Sequence, residues 1–187
     1  MVYDVLFATD AKFQIQPQMV DKWEVSPDKL TYTFTLRDGL KFHDGQPVKS
    51  ADCIASVERW AKRDALGQKL DEATESWSAK DDKTFVLKLK TPFPLTLDAL
   101  AKPSSNVPFI MPKRIAETDP FKQIEEHIGS GPYVFKRDEF KPGDKAVYLK
   151  ADRNLAYGVV VETTDTLNRL GVESLGLVTE LRKEGAP

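Results

Sequence analysis

The stretch Trp23-Glu24-Val25-Ser26-Pro27-Asp28-Lys29-Leu30-Thr31-Tyr32-Thr33-Phe34-Thr35-Leu36-Arg37-Asp38-Gly39-Leu40-Lys41-Phe42-His43-Asp44-Gly45-Gln46-Pro47-Val48 decides the fold. Within it Thr31 to Leu36 alternates strictly, so Tyr32, Phe34 and Leu36 share one face. Such alternation of β-branched and aromatic residues predicts a half-buried strand. Ser26-Pro27-Asp28-Lys29 leads into it as a turn, with proline preset for the second position. Asp38-Gly39 and Asp44-Gly45 mark two further turns around Leu40-Lys41-Phe42-His43.

Working outward, residues 1–26 read as a short helix or strand, a turn, and a loop leading to Trp23-Glu24-Val25. Ser50 or Asp52 can cap a helix over residues 50–62, with Ile54, Val57 and Trp60 or Ala61 as its apolar stripe. A shorter helix is expected over 68–74, after Gly67. Residues 77–79 and 84–89 flank Lys80-Asp81-Asp82-Lys83 and predict a β-hairpin. Pro92 and Pro94 end that strand, and 95–101 makes one or two helical turns. The loop Lys102-Pro103-Ser104-Ser105-Asn106-Val107-Pro108-Phe109 is polar, stiffened by proline and flanked by apolar segments, as a contact surface would be. Short helices are expected over 113–117 and 120–127, closed by Gly129-Ser130-Gly131-Pro132, read as a turn needing positive φ. Tyr133-Val134-Phe135 and Ala146-Val147-Tyr148-Leu149 predict a second hairpin across Lys141-Pro142-Gly143-Asp144. The fold class is α+β, antiparallel β-hairpins with interleaved short helices, without βαβ alternation or internal repeats.

Composition narrows the function. The chain has 187 residues, 41% hydrophobic and 30% charged, with a net charge of −2. Acidic and basic residues are interspersed, without the basic stripe that nucleic-acid binders carry, so no nucleic-acid partner is expected. No apolar run reaches the roughly 18 residues that a membrane span needs, so direct membrane insertion is not expected. Met1-Val2-Tyr3-Asp4 lacks the basic and apolar regions of a secretory signal, so a chain expressed as given is expected to stay in the cytoplasm.

No catalytic pattern stands out, and no enzyme activity, cofactor or metal site is expected. His43 and His127 are the two histidines, far apart and without ligands at metal-binding spacing. No nucleophile–base pair supports a hydrolase. Cys53, the single cysteine, reads as a small buried apolar residue, against the alternative of a thiol activated at a helix start. Trp23, Trp60 and Trp77 sit on amphipathic elements and read as core residues before ligand platforms.

The run from Trp23 to Val48, followed by Ala51-Asp52, resembles the signature of family 5 bacterial extracellular solute-binding proteins, the ligand-capturing subunits of ABC importers. Ile128-Gly129-Ser130-Gly131-Pro132-Tyr133-Val134-Phe135 is similar to that family's I-G-T-G-P-Y-x-F. Residues 138–154, with Pro142-Gly143 at the turn and Arg153-Asn154 near the end, resemble a third landmark, with Phe140 where tryptophan is common. The resemblance implies part of a two-lobed binding-protein fold, namely the extra subdomain of one lobe. It covers residues 1–157; residues 158–187 are expected to form a divergent tail, an apolar strand at Gly158-Val159-Val160-Val161 and a helix over 165–182 with a stripe of Leu167, Leu170, Leu175, Val178 and Leu181.

The implied function is the substrate-binding component, or a fragment of it, of an ABC import system for peptides. The alternatives are a nickel or metal-chelate binder and a remnant with a purely structural role. The implied partners are a peptide or other small solute and an inner-membrane permease, and the implied location is periplasmic. By resemblance Ser104, Ser105 and Asn106 approach the solute, with Leu66, Gly67 and Gln68 as a second contact. The amide of Asn106 offers a donor and acceptors suited to a peptide backbone, while capping and turn roles suit the same residues.

Overall fold

A computed structural model describes residues 2–139, 146–149, 157–169 and 174–177. They fall into two compact units, Val2–Gly131 and the part that follows Gly131.

The first unit is built on a four-stranded antiparallel sheet in the order β3-β4-β6-β5, formed by Val20–Val25, Thr31–Leu36, Thr84–Leu89 and Thr74–Ala79. The alternation in β4 does what its sequence demands: Tyr32, Phe34 and Leu36 are buried. Across the ladder Phe34 pairs with Phe85 and Tyr32 with Leu87, which lines up the apolar faces of β4 and β6. Phe7 meets Phe34 edge-on at 5.9 Å, and Phe34 lies 5.3 Å from Phe85. Aromatic pairs at such spacing add ~0.5–1.5 kcal/mol each beyond area burial. Trp23 and Trp77 pack on the same core while half-exposed.

The turns behave as their residues require. The Lys29 N–H donates to the Ser26 carbonyl at 2.8 Å, closing the Pro27 turn between β3 and β4. The Asp81 carboxylate accepts from the Lys83 and Thr84 N–H groups, each at 2.8 Å, fixing the β5–β6 hairpin. Gly39 and Gly45 hold φ of +77° and +82°, which their Asp-Gly turns need. The opening segment is a two-stranded hairpin of β1 (Phe7–Thr9) and β2 (Ile15–Pro17).

Helix α1 (Ser50–Ala61) packs on the sheet, α2 (Ala65–Ala73) packs on α1, and short α3 (Thr96–Leu100) and α4 (Lys113–Ala116) follow. In α1, Val57, Trp60 and Ala61 are buried as expected, joined by Cys53. Ser50 and Asp52 are not its N-cap. Lys49 occupies that position, and Asp52 reaches back to accept from the Lys49 N–H at 2.8 Å. Cys53 is fully buried, and burial pushes its thiol far above the ordinary range.

Three further expectations in the Val2–Gly131 unit are corrected. The helix expected over 68–74 starts earlier, at Ala65, because Asp64 caps it, and ends at Ala73, with Thr74 opening β5. Residues 120–127 form no helix. The chain there is instead fastened to α1: the Arg59 guanidinium donates to the carbonyls of Ala116, Thr118, Asp119 and Lys122, and the Asp119 carbonyl also accepts from the Lys122 N–H at 3.1 Å, a single turn that is not continued. Gly129 and Gly131 do not hold positive φ. Gly129 instead admits a backbone: a Cβ there would lie 2.0 Å from the Val2 carbonyl oxygen. That same oxygen accepts from the Gly131 N–H at 2.9 Å.

Beyond Gly131, Tyr133-Val134-Phe135 is irregular and forms no hairpin with the later strand. That strand, β7 (Ala146–Leu149), pairs parallel to β8 (Ser174–Leu177), with Ala146 opposite Ser174. Helix α5 (Tyr157–Arg169) is the crossover between them, making a βαβ unit that the sequence reading excluded. Gly158 to Val161 is therefore helix, not strand, and Leu175 is in a strand, not a helical stripe. The β-branched run suggested a strand, yet the hydroxyls of Thr163, Thr164 and Thr166 donate to carbonyls one turn back, of Val159, Val160 and Glu162, at 2.7–2.8 Å. The turn at Lys141-Pro142-Gly143-Asp144, Phe140, Arg153-Asn154, and Leu170, Val178 and Leu181 lie outside the described residues. Among the described residues, no helix is long and apolar enough to cross a membrane.

Candidate functional site

The sequence spacing of Ser56, Arg59, Trp60 and Arg63 is three, four and seven positions, which places them along one face of α1 and its C-terminal extension. Opposite that face run residues 105–111 and 120–124, and the three together line an open cavity of about 300 Å³.

Each wall is fastened by side-chain to backbone bonds. The Ser56 hydroxyl donates to the Met111 carbonyl at 3.1 Å and accepts from the Met111 N–H at 3.0 Å. The Trp60 indole N–H donates to the Asn106 carbonyl at 2.7 Å, so the tryptophan is a core residue that also anchors the loop. Arg59 holds the third wall through the carbonyls named above and through Thr118 Oγ1 at 3.1 Å. Ser105 takes a left-handed backbone, φ 62°, a conformation uncommon for serine.

Ser105 and Asn106 line this cavity, and both are exposed; Ser104 is exposed beside them without lining it. Leu66, Gly67 and Gln68 do not line it. Leu66 is half-buried against the core, and Gln68 is exposed with its amide on the Lys62 carbonyl. Gly67 is buried where α2 crosses α1, and a Cβ on it would lie 2.8 Å from Ala61 Cα.

The two predicted contact segments are nevertheless linked. Asp64 caps α2 by accepting from the Leu66 and Gly67 N–H groups at 3.0 Å, and its other oxygen pairs with Lys102 at the foot of the 103–106 loop. Burial works to raise the Asp64 carboxyl, but the Lys102 ammonium and those amides outweigh it and hold the group below the usual carboxylate range.

His43 is a structural clamp. Its Nε2 lies 2.7 Å from the Gly131 carbonyl, which requires the proton on that nitrogen, and its backbone N–H donates to the Gly129 carbonyl at 2.9 Å. Among the described residues no three His, Cys, Asp or Glu side chains come together as a metal site.

Sequence reasoning missed Ser56, Arg59, Arg63 and Lys122 as cavity residues. The helical spacing of the first three was available, but it aligns with the core stripe around Trp60. The 120–124 wall could not be recognised while it was read as a helix.

Residues 14–163 match the family described as bacterial extracellular solute-binding proteins, family 5, middle region. The chain belongs to this family. Over 156 residues it is 47% identical to a probable peptide ABC transporter periplasmic-binding protein of Sinorhizobium fredii, an alignment covering 83% of this chain and 28% of that protein. It is 33% identical to the glutathione-binding protein GsiB of Pectobacterium atrosepticum, over 71% of this chain and 26% of the relative. Among solved structures, the family 5 chain is similar to NikZ of Campylobacter jejuni in complex with Ni(L-His), with a TM-score of 0.63 and 26% identity. It is equally similar to the oligopeptide-binding protein AppA of Bacillus subtilis in complex with a nonapeptide, with a TM-score of 0.62 and 26% identity. Each match covers 77% of this chain and 29% of the solved one. The chain thus spans under a third of the length of the relatives it matches, and the fold is that of part of a substrate-binding protein.

Proposed function

We propose that this chain supplies one wall of the solute site in the binding component of an ABC importer, with peptides as cargo and the importer's permease as partner. The observation that carries the reading is the cavity between α1, residues 105–111 and residues 120–124, on a chain 47% identical to a probable peptide-transport binding protein. On this reading Ser105 and Asn106 give polar contacts to the solute, Ser104 flanks them, and Leu66, Gly67 and Gln68 support the loop from α2. Residues 1–157 are the partial lobe and 158–187 a divergent tail. The site of action is periplasmic, and the role is binding without catalysis.

Capture in such proteins depends on burying the solute between lobes, whose closure presents a surface to the permease. This chain alone is therefore expected to bind peptides weakly. A metal-chelate cargo is the second reading, favoured by the similarity to NikZ with its bound Ni(L-His). Calorimetry on a chimaera carrying this chain in place of the matching stretch of the S. fredii relative separates them. Saturable heats with di- to nonapeptides, and none with Ni–histidine, are expected. Heats with Ni–histidine alone would support the second reading, and none with either, while the unaltered relative responds to peptide, would overturn both.

A further inference from the structure

We propose that the cavity beside Asn106 receives the carboxylate of the solute, with Arg63 as its ion-pairing residue. This rests on the solute-wall reading above and adds the charge of the group that is bound.

The charged side chains lining the cavity are Arg59, Arg63 and Lys122; no carboxylate lines it. Among the described residues, none of the three has an acidic group within ion-pair distance. The cations just off the cavity contrast with them. Lys62 pairs with Asp71 at 2.9 Å, Lys113 with Glu117 at 3.4 Å, and Arg114 with Glu126 at 3.0 Å. A concave surface lined by one sign of charge concentrates its field on an incoming ion of the opposite sign.

The two arginines divide the work. Arg59 spends its terminal nitrogens on backbone carbonyls, so it contributes a fixed positive charge and a rigid wall. Arg63 is exposed, and the one hydrogen bond its side chain makes among the described residues, to the Pro120 carbonyl, is long at 3.5 Å. The rest of its planar fork is open to a carboxylate, the geometry guanidinium matches with two parallel bonds. Ser105 and Asn106, exposed on the facing loop, offer a hydroxyl and an amide to the same group. Phe109, Met111 and Ile124 supply apolar walls beside these donors, the mixture usual in small-molecule pockets.

The test is an amide-resolved NMR titration of the full chain with trialanine and with trialaninamide, which lacks the carboxylate, alongside acetate and inorganic phosphate. Trialanine is expected to move the amide signals of Arg63, Ser105 and Asn106, with the amide form about tenfold weaker, the size of one charge-assisted bond. Arg63→Gln, at an exposed position where folding is preserved, is expected to erase the difference between the two peptides. Equal affinity for both peptides at these signals overturns the carboxylate inference and leaves the solute wall standing. Shifts from acetate and phosphate without any stronger effect of trialanine support the anion subsite and count against peptide capture. No shift from any of the four probes overturns the inference.

Discussion

Replacing Gly67 by alanine sets two opposed effects against each other at one position. Inside a helix, alanine is favoured over glycine by about 1 kcal/mol. Here, however, the added Cβ would stand 2.8 Å from Ala61 Cα, and 3.0 and 3.1 Å from the ring carbons Cζ3 and Cε3 of Trp60. Comfortable carbon contacts lie at about 3.5–4 Å, so α1 and α2 must separate by several tenths of an ångström. Overpacking of this kind costs about 1–3 kcal/mol. The backbone position of Ala61 cannot rotate away as a side chain could, so the cost falls in the upper part of that range. The net expectation is a loss of about 1 kcal/mol, a fall in Tm of about 2–4 °C. Urea unfolding followed by tryptophan fluorescence measures it, and Trp60 reports from the contact itself. A rise in stability would refute the close helix crossing. An unchanged stability with altered peptide affinity in the chimaera would make Gly67 a solute contact and not a packing residue.

Gly129→Ala carries a larger expected penalty, above ~2 kcal/mol, because the clash is with the Val2 carbonyl at 2.0 Å and breaks the seat of the Gly131 N–H bond as well; thermal unfolding reads it. Asp64→Ala should cost ~1–2 kcal/mol by uncapping α2. Since the folded Asp64 carboxyl sits below its ordinary value, the stability it confers is complete above an unfolded pKa of about 3.9 and is lost as pH falls through the folded value. Asp64→Asn should therefore flatten the acid limb of the stability profile, and an unaltered limb would show that Asp64 does not contribute to it. Cys53 should resist thiol reagents in the folded chain and react at the rate of unfolding, since it is fully buried and burial keeps its proton on; fast labelling of native protein would contradict that burial.

The parts of the fold that the sequence announced are those decided by neighbours along the chain. Strand β4 was legible because one-sided burial imposes a period of two on Thr31 to Leu36. The β5–β6 hairpin followed from Asp81 at its turn, and the glycines at 39 and 45 from their left-handed backbones. What was not legible depends on distant partners. Residues 120–127 run without helix along Arg59, which takes the Lys122 carbonyl from 63 positions away. Gly129 is required by a carbonyl from the start of the chain, which no local pattern signals. Strand β7 found a parallel partner beyond a helix, while the turn residues nearby suggested an antiparallel one. The candidate site divides in the same way. The 103–106 loop stood out by its own prolines and polarity, whereas Arg63 and Lys122 gained meaning only when α1 and the 120–124 segment met across the cavity.

The central claim is that the loop bearing Ser105 and Asn106 faces the solute. It is tested most directly in the chimaera by Asn106→Cys labelled with an environment-sensitive fluorophore, with Lys22→Cys, exposed on β3, as the control. A saturable emission change on peptide addition is expected at position 106 and none at position 22. A saturable peptide response in calorimetry with no emission change at position 106 would contradict it.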